Sequence, residues 1–309
     1  MEGLLGARLL VVTGKGGVGK TTVAAAIGLA AARAGKRTVV CEVAEQERIT
    51  ALFGHPPAGG RETTLAPGLH AFSVNPEDAK GEWLRHQLHT GALAGMLGHS
   101  RIFQYVTAAA PGLTEVLTIG KVWELAQLER RTPGAAPYDL AILDAPATGG
   151  GLALLRAPRT YAAIAKVGPV GRHAGTIDAF ISDRSSTAVV AVALPEEMPV
   201  NETIDLEARL RDDLGIELAR TFVNGMLPER LSGKDVEAIE ALDGAGSPAA
   251  REALEAALAG RARARAQRSQ LARLRRATGA PVATLPFLLT PELERGDVER
   301  LSRELEGKL

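Results

Sequence analysis

The chain has 309 residues, and its 36 basic and 36 acidic side chains cancel, so it carries no net charge at pH 7. This length buries a sizeable core in one large domain or two modest ones, and the balanced charge gives no overall attraction to nucleic acid or anionic lipid. Cys41 is the only cysteine, which excludes an internal disulfide framework and any site built from several thiolates of this chain.

The first residues carry no targeting signal. Met1–Arg8 lacks the basic segment and long apolar stretch of a secretory signal peptide. Val23–Ala34 is a run of small apolar residues, and at about 12 residues it is too short to span a bilayer. We therefore expect a cytoplasmic protein.

Short apolar runs alternate with helix-forming stretches along the chain. Leu9–Thr13 predicts a buried strand, Thr21–Ala34 a helix that Gly35 ends, and Arg37–Val43 a second strand. Further strands are predicted at Leu69–Val74, Tyr138–Asp144, Ala188–Leu194, Thr221–Asn224 and Pro281–Leu285, and further helices at Thr203–Leu214 and Ala249–Ala277. This alternation predicts an α/β fold with a doubly wound, mostly parallel sheet.

Two intervals, 80–135 and 149–185, fit the alternation poorly because they are long, helical in character and without a clear strand. We expect residues 1–309 to form a single domain in which these intervals make a helical insertion subdomain. The predicted position is above the carboxyl edge of the sheet, where ligands bind in such folds.

The segment between the first strand and the first helix has the spacing G-x-x-x-x-G-K-[ST] of a phosphate-binding loop, or P-loop. Its glycines let backbone N–H groups converge on a phosphate, and the following helix N-terminus adds partial positive charge. Lys20 is expected to reach the β- and γ-phosphates of ATP, and the Thr21 hydroxyl to ligate Mg²⁺. The predicted nucleotide contacts are Gly14, Lys15, Gly16, Gly17, Val18, Gly19, Lys20, Thr21 and Thr22.

A second interpretation is open for the same glycines. Gly14–Gly19 also matches G-x-G-x-x-G, and Glu42 closes the second strand where a ribose-binding acid of a dinucleotide site lies. The pair Lys20 and Thr21 is not required by that interpretation and favours the P-loop. Asp144 favours it too, because an acid at a strand end beside the loop can support Mg²⁺, and the Pro-Ala-Thr-Gly turn after it can sense a γ-phosphate.

Four segments occur in the order seen in arsenite-pump-type ATPases, whose family includes the guided-entry ATPases that deliver tail-anchored membrane proteins. They are GKGGVGKTT at Gly14–Thr22, LDAPATGGGLALL at Leu143–Leu155, FVNGM at Phe222–Met226 and LPF at Leu285–Phe287. The chain resembles this family over nearly its whole length, whereas the first segment alone is also shared with septum-site and partition ATPases. A partition-type ATPase acting on DNA therefore stays a further alternative.

The resemblance implies a dimer with nucleotide at its interface. Lys15 matches the characteristic lysine of the deviant Walker A subgroup. In that subgroup this lysine reaches across the dimer interface to the partner's nucleotide. Asn224 would hydrogen-bond adenine, with Leu285, Pro286 and Phe287 near the base. The dimer partner would be a second copy or a related ATPase, and the client would be a hydrophobic or membrane protein. The residues that would contact this client, or else form the core of the helical insertion, are Met96, Leu97, Ile102, Phe103, Leu113 and Val116.

The chain departs from the family where the second strand ends. The family places there an Asp that orients the attacking water, and Ala44 stands at that position, so the role is lost or moved to Glu42 or Glu45. We expect slow hydrolysis, or a nearly inactive regulatory subunit of a heterodimer. The candidate catalytic residues are Lys15, Lys20, Glu42, Glu45 and Asp144.

Metal capture of the family's pump type is not expected. Arsenite capture in the family needs three cysteine thiolates, and the dimer zinc of its eukaryotic members needs a cysteine pair, whereas this chain has Cys41 alone. Arg261–Arg276 holds seven arginines without aromatic residues among them, so we interpret it as a solvated helix face and expect no nucleic-acid partner.

Overall fold

The computed structural model describes residues 3–43, 47–79, 81, 112–130, 132, 134–165, 169–241 and 247–309. The strands of this part are β1 (Leu9–Thr13), β2 (Thr38–Glu42), β3 (Thr63–Ala66), β4 (Leu69–Ser73), β5 (Leu140–Asp144), β6 (Thr187–Ala193), β7 (Leu218–Met226) and β8 (Val282–Pro286). They form one sheet in the order β3-β4-β2-β5-β1-β6-β7-β8. All neighbours pair in parallel except β3 and β4.

Helices cover both faces of the sheet. They are α1 (Lys20–Arg33), α2 (Arg48–Leu52), α3 (Leu113–Leu125), α4 (Thr148–Ile164), α5 (Pro169–Ser182), α6 (Glu197–Arg209), α7 (Gly233–Glu240), α8 (Pro248–Ala277) and α9 (Arg295–Leu305). A π-helical turn, Leu210–Leu214, continues α6. This arrangement confirms the predicted α/β class with a mostly parallel sheet.

Successive residues of β1 face opposite helical layers, as the pleat of a strand requires. Leu10 and Val12 pack in the core cluster that includes α1, α2 and α9, whereas Leu9 and Val11 pack in the cluster that includes α3, α4 and α5. All four side chains are fully buried. Burial on both faces explains why the strand is apolar throughout rather than alternating.

Helix α1 lies close against the sheet because Gly28 leaves room for it. A Cβ at this position would lie 2.7 Å from Val40 Cγ2 and 3.0 Å from Leu69 Cδ1. Helix α1 thus packs directly against β2 and β4, the strands that carry Val40 and Leu69.

Three elements differ from the sequence-based expectation. The antiparallel edge strand β3 was not predicted, because its four residues are too short to show an alternating pattern. Helix α6 begins at Glu197 rather than Thr203, with Pro199 in the first turn, where a missing N–H costs nothing. Strand β7 extends on both sides of the predicted Thr221–Asn224.

The two intervals of the predicted insertion are described only in part. Much of the first lies outside the described residues, including Met96, Leu97, Ile102 and Phe103; Leu113 and Val116 are buried. In the second, α4 and α5 contribute core residues that pack with the central strands: Leu152, Leu155, Ile177 and Ile181. These helices therefore cover a sheet face, whereas the expectation placed them above its edge. The boundaries of a separate subdomain stay a prediction.

Candidate nucleotide site

The P-loop connects β1 to α1, and its first and last glycines stand at positions that favour glycine strongly. Gly14 has φ of 141°, and a Cβ there would lie 2.2 Å from the carbonyl oxygen of Val192 on the neighbouring β6. Gly19 has φ of 90°, and its Cβ would lie 2.4 Å from Nδ2 of Asn224. Any side chain at these two positions would be strained and would collide with the loop's surroundings. The glycine spacing of the motif is thus set by contacts within the fold.

Lys20 begins α1 and lies over the loop. Its ammonium donates a hydrogen bond to the carbonyl oxygen of Lys15 at 3.1 Å. Burial lowers the pKa of Lys20, while the nearby carboxylates of Asp144 and Glu202 oppose that shift. A cation at a helix N-terminus, beside a glycine-rich turn, is the arrangement that receives phosphate in proteins.

Asp144 ends β5 beside the start of α1. The Thr21 hydroxyl donates to Asp144 Oδ2 at 2.6 Å, whereas Oδ1 of the same carboxylate is buried without a hydrogen-bond partner among the described residues. Burial raises the pKa of Asp144 to about 6, against the opposing effects of the Thr21 hydrogen bond and the Lys20 charge. Native proteins rarely bury an unpartnered acceptor, so this oxygen is available to a ligand.

The side-chain oxygens of Thr21 and Asp144 are chemically suited to bind a Mg²⁺ ion. A hydroxyl and a carboxylate are ligands that this hard cation accepts, and it takes its remaining ligands from phosphate and water. Across the described residues there is no group of three or more His, Cys, Asp or Glu side chains that could hold a metal. Any Mg²⁺ at this position would therefore depend on the nucleotide for part of its coordination.

Glu42 ends β2 at the same register as Asp144 on the adjacent β5. It is only 5% exposed, and its two oxygens accept hydrogen bonds from the backbone N–H groups of Arg48 at 2.9 Å and Ile49 at 3.0 Å. Burial raises the pKa of Glu42 to about 7, although both hydrogen bonds act in the opposite direction. Its carboxylate therefore closes the first turn of α2. Glu45, the other proposed replacement acid, lies outside the described residues.

Glu202 on α6 joins the loop to the turn that follows β5. Its Oε2 accepts from the Lys15 ammonium at 2.7 Å and its Oε1 from the Thr148 hydroxyl at 2.6 Å. The Thr148 backbone N–H donates to the Gly14 carbonyl oxygen at 3.1 Å, so the turn and the loop are in direct contact. Glu202 was not predicted as a site residue because it belongs to no local sequence motif.

Asn224 lies near the end of β7, directly beside the loop. Its side-chain amide donates to the carbonyl oxygen of Val18 at 3.0 Å. Beyond it, Leu285 is fully buried, Pro286 is half-buried, and Phe287 is 44% exposed. The structure thus brings the residues expected at the base together with the loop, at the same end of the sheet.

A groove of about 1290 Å³ begins at Met226 and the end of β8. Apolar and arginine side chains line it together, with Leu271 and Phe287 among the first and Arg275 and Arg276 among the second. Arg268 at its wall pairs with Glu229 at 2.7 Å. The end of β8 thus borders an open, partly apolar surface.

Residues 7–172 match the sequence profile of the family described as Anion-transporting ATPase. The chain belongs to this family of ArsA-type ATPases. The matched part contains the P-loop, Glu42, Asp144 and Thr148, whereas Glu202, Asn224 and the end of β8 lie beyond it. The resemblance drawn from the motifs is thus confirmed.

Individual relatives agree with this assignment. ATPase BagA of Mycobacterium tuberculosis is 32% identical over 240 residues, which cover 75% of this chain and 69% of that protein. A putative arsenical pump-driving ATPase of Halobacterium salinarum is 29% identical over 234 residues, 72% of this chain and 36% of that protein. ATPase GET3C of Arabidopsis thaliana is 26% identical over 266 residues, 70% of this chain and 66% of that protein.

The helices of this ArsA-type ATPase that the structure describes include none with both the length and the apolar character needed to cross a lipid bilayer.

Proposed function

We propose that the chain binds ATP with Mg²⁺ at the P-loop, hydrolyses it slowly, and acts as a nucleotide-driven switch in a dimer. One observation carries the proposal: among the described residues the buried Oδ1 of Asp144 has no hydrogen-bond partner, while the Thr21 hydroxyl holds the same carboxylate beside the loop. Membership of an ATPase family supports the nucleotide as ATP.

Phosphate recognition rests on groups that are already in place. We expect the glycine-rich loop to direct backbone N–H groups at the phosphate, and Lys20 would exchange its hydrogen bond to the Lys15 carbonyl for one to a phosphate oxygen. Hydrogen bonds to charged groups contribute roughly 1.5–3 kcal/mol each, so several together support micromolar binding. Gly14–Thr22 would form this cradle.

Thr21 and Asp144 would hold Mg²⁺. When bound, the ion supplies charge neutralisation at the β- and γ-phosphates. For this role Asp144 must be ionised, and the Lys20 charge together with the Thr21 hydrogen bond favours that form against the effect of burial.

The base would lie between Asn224 and the end of β8. Because the Asn224 amide donates to Val18, its carbonyl oxygen is left to accept the exocyclic amine of adenine. Phe287, partly exposed, offers a ring face near the groove, with Leu285 and Pro286 behind it.

We expect slow hydrolysis because of the residues at and just after the end of β2. Ala44 has no side chain that orients water, and both oxygens of Glu42 are engaged by backbone N–H groups of α2. A positioned base contributes about 10²–10⁴-fold in rate, so its absence slows turnover and leaves binding largely intact. Glu45 remains the residue that could supply this function in the chain.

The same observation favours a second candidate, a nucleotide-binding regulatory subunit that is nearly inactive alone. In either case Lys15 would complete the nucleotide site of a partner, a second copy or a related ATPase, in the cytoplasm. Relatives named as arsenical pump-driving and GET3C ATPases support a client of hydrophobic or membrane-protein character, although arsenite itself would find only Cys41.

Calorimetric titration with ATP tests binding. We expect Mg²⁺-dependent uptake in the micromolar range by the intact chain and loss of at least about 100-fold in affinity in Lys20→Glu. Lys234→Glu, on the exposed surface of α7, is the matched control and should bind as wild type. No Mg²⁺-dependent uptake by the unmodified protein would overturn the proposal. Single-turnover hydrolysis then separates the slow ATPase from the inactive subunit.

A further inference from the structure

A single carboxylate, Glu202, contacts two polar groups that border the P-loop. It accepts one hydrogen bond from the ammonium of Lys15, inside the loop, and one from the hydroxyl of Thr148, which begins α4 directly after the turn that follows Asp144. It reaches them from α6, an element that contributes nothing else to the proposed phosphate cradle. No motif and no family segment assigns a role to this residue.

The place of these contacts matters more than their strength. Lys15 and Glu202 keep 36% and 30% of their side chains exposed, and ion pairs of this kind stabilise a fold by little. Their position is beside a loop built to receive an anion. A triphosphate there would repel the Glu202 carboxylate and attract the Lys15 ammonium, so the two anions compete for one cation.

The hydrogen bonds from Lys15 and Thr148 lower the pKa of Glu202, so the carboxylate is charged at neutral pH. Lys20, the other cation of the loop, also feels the Glu202 charge. Glu202 therefore places a negative charge beside both lysines of the loop, close to where phosphate is proposed to bind.

We propose that Glu202 is a positioning residue that holds Lys15 and Thr148 until nucleotide phosphate displaces it. The inference rests on the proposed function and adds a regulatory step to it. Displacement of one carboxylate frees the loop lysine and the turn after β5 together, which couples phosphate arrival to both segments.

Glu202→Gln separates the charge from the hydrogen bond. The glutamine amide oxygen still accepts from Thr148, but it no longer binds Lys15 as an ion pair. We expect the affinity for a non-hydrolysable ATP analogue with Mg²⁺ to rise about two- to fivefold in calorimetric titration, since a partly exposed ion pair no longer has to be broken. Asp205→Asn, an exposed carboxylate on the same helix, is the matched control and should leave the affinity unchanged.

The gain must depend on Lys15. In a Lys15→Met background, Glu202→Gln is expected to change the affinity by less than about 1.5-fold, because no ion pair is left to release and solvent screens the direct repulsion between Glu202 and phosphate. The same gain in both backgrounds would show a general effect of negative charge and would overturn the proposal. So would unchanged or weaker binding in Glu202→Gln alone.

A second variant separates the effect of the charge from an effect on folding. Glu202→Asp retains the charge, and its affinity should stay within about twofold of wild type, whereas a gain as large as that of Glu202→Gln would exclude the charge as the cause. Thermal unfolding of each variant reports on the fold. If the unmodified chain binds no nucleotide the proposed function fails, and if it binds while Glu202→Gln shows no gain only the inference about Glu202 fails.

Discussion

Glu42 and Asp144 end neighbouring parallel strands at the same register, yet their surroundings differ. Both oxygens of Glu42 accept backbone N–H groups from the start of α2. Asp144 has one oxygen on the Thr21 hydroxyl and one oxygen without a partner among the described residues. Each strand ends in an acid, but the neighbouring segment decides whether both oxygens of its carboxylate accept hydrogen bonds, as in Glu42, or whether one has no partner among the described residues, as in Asp144.

The largest expected effect is on catalysis. Asp144→Asn should reduce single-turnover ATP hydrolysis about 100-fold or more, because the neutral amide no longer supports Mg²⁺ at the phosphates. Glu42→Gln should reduce it by less than about threefold if Glu42 is a cap. The reverse ranking would assign the metal-supporting role to the end of β2.

The second effect is a dependence of folding stability on pH. Folding raises the pKa of Glu42 to about 7 and of Asp144 to about 6, so the folded state holds these two protons more tightly than the unfolded state. Their contribution to stability is complete below their ordinary values near pH 4 and is lost as the pH rises through 6 and 7. The loss is on the order of 3 kcal/mol for each of the two groups.

Urea unfolding of wild type and of Glu42→Gln/Asp144→Asn between pH 4.5 and about 8 measures that loss. The free energy of unfolding of the double variant, relative to that of wild type, should increase as the pH rises. Parallel curves would show that burial does not disfavour the charged forms of these two carboxyl groups.

A smaller effect distinguishes Glu42 from Asp144 by the free energy of unfolding rather than by ATP hydrolysis. Glu42→Ala leaves the N–H groups of Arg48 and Ile49 without their acceptors and should lower the free energy of unfolding by about 2 kcal/mol. Nucleotide affinity should stay within about threefold of wild type. Glu252→Ala, exposed on α8, serves as the control for loss of a surface carboxylate.

The smallest effect concerns the hydroxyl that orients Asp144. Thr21→Val keeps the shape of the side chain but loses its hydrogen bond, and we expect about tenfold weaker Mg²⁺-dependent nucleotide binding. Thr21→Ser, which retains the hydroxyl, should bind within about threefold of wild type. Equal affinities for Val and Ser would show that the hydroxyl does not take part.

The sequence predicted the fold well where signals are local. The apolar run Leu9–Thr13, the glycine-rich loop and Lys20 with Thr21 follow one another directly, so strand, turn and helix were predictable from spacing alone. Strand β3 and the start of α6 were not, since four residues carry no periodicity and Pro199 obscured a helix start.

The P-loop and the acid that ends β5 were thus determined by the sequence itself, because each depends on residues within a few positions of one another. Only the tertiary structure decided how the carboxylates are used. Glu202 is 187 residues from Lys15 along the chain, and Glu42 meets its hydrogen-bond donors after the chain has left the sheet. Packing of distant elements brings Glu202 to Lys15, whereas Glu42 meets donors six and seven residues further along the chain, whose position depends on how the chain turns from β2 into α2.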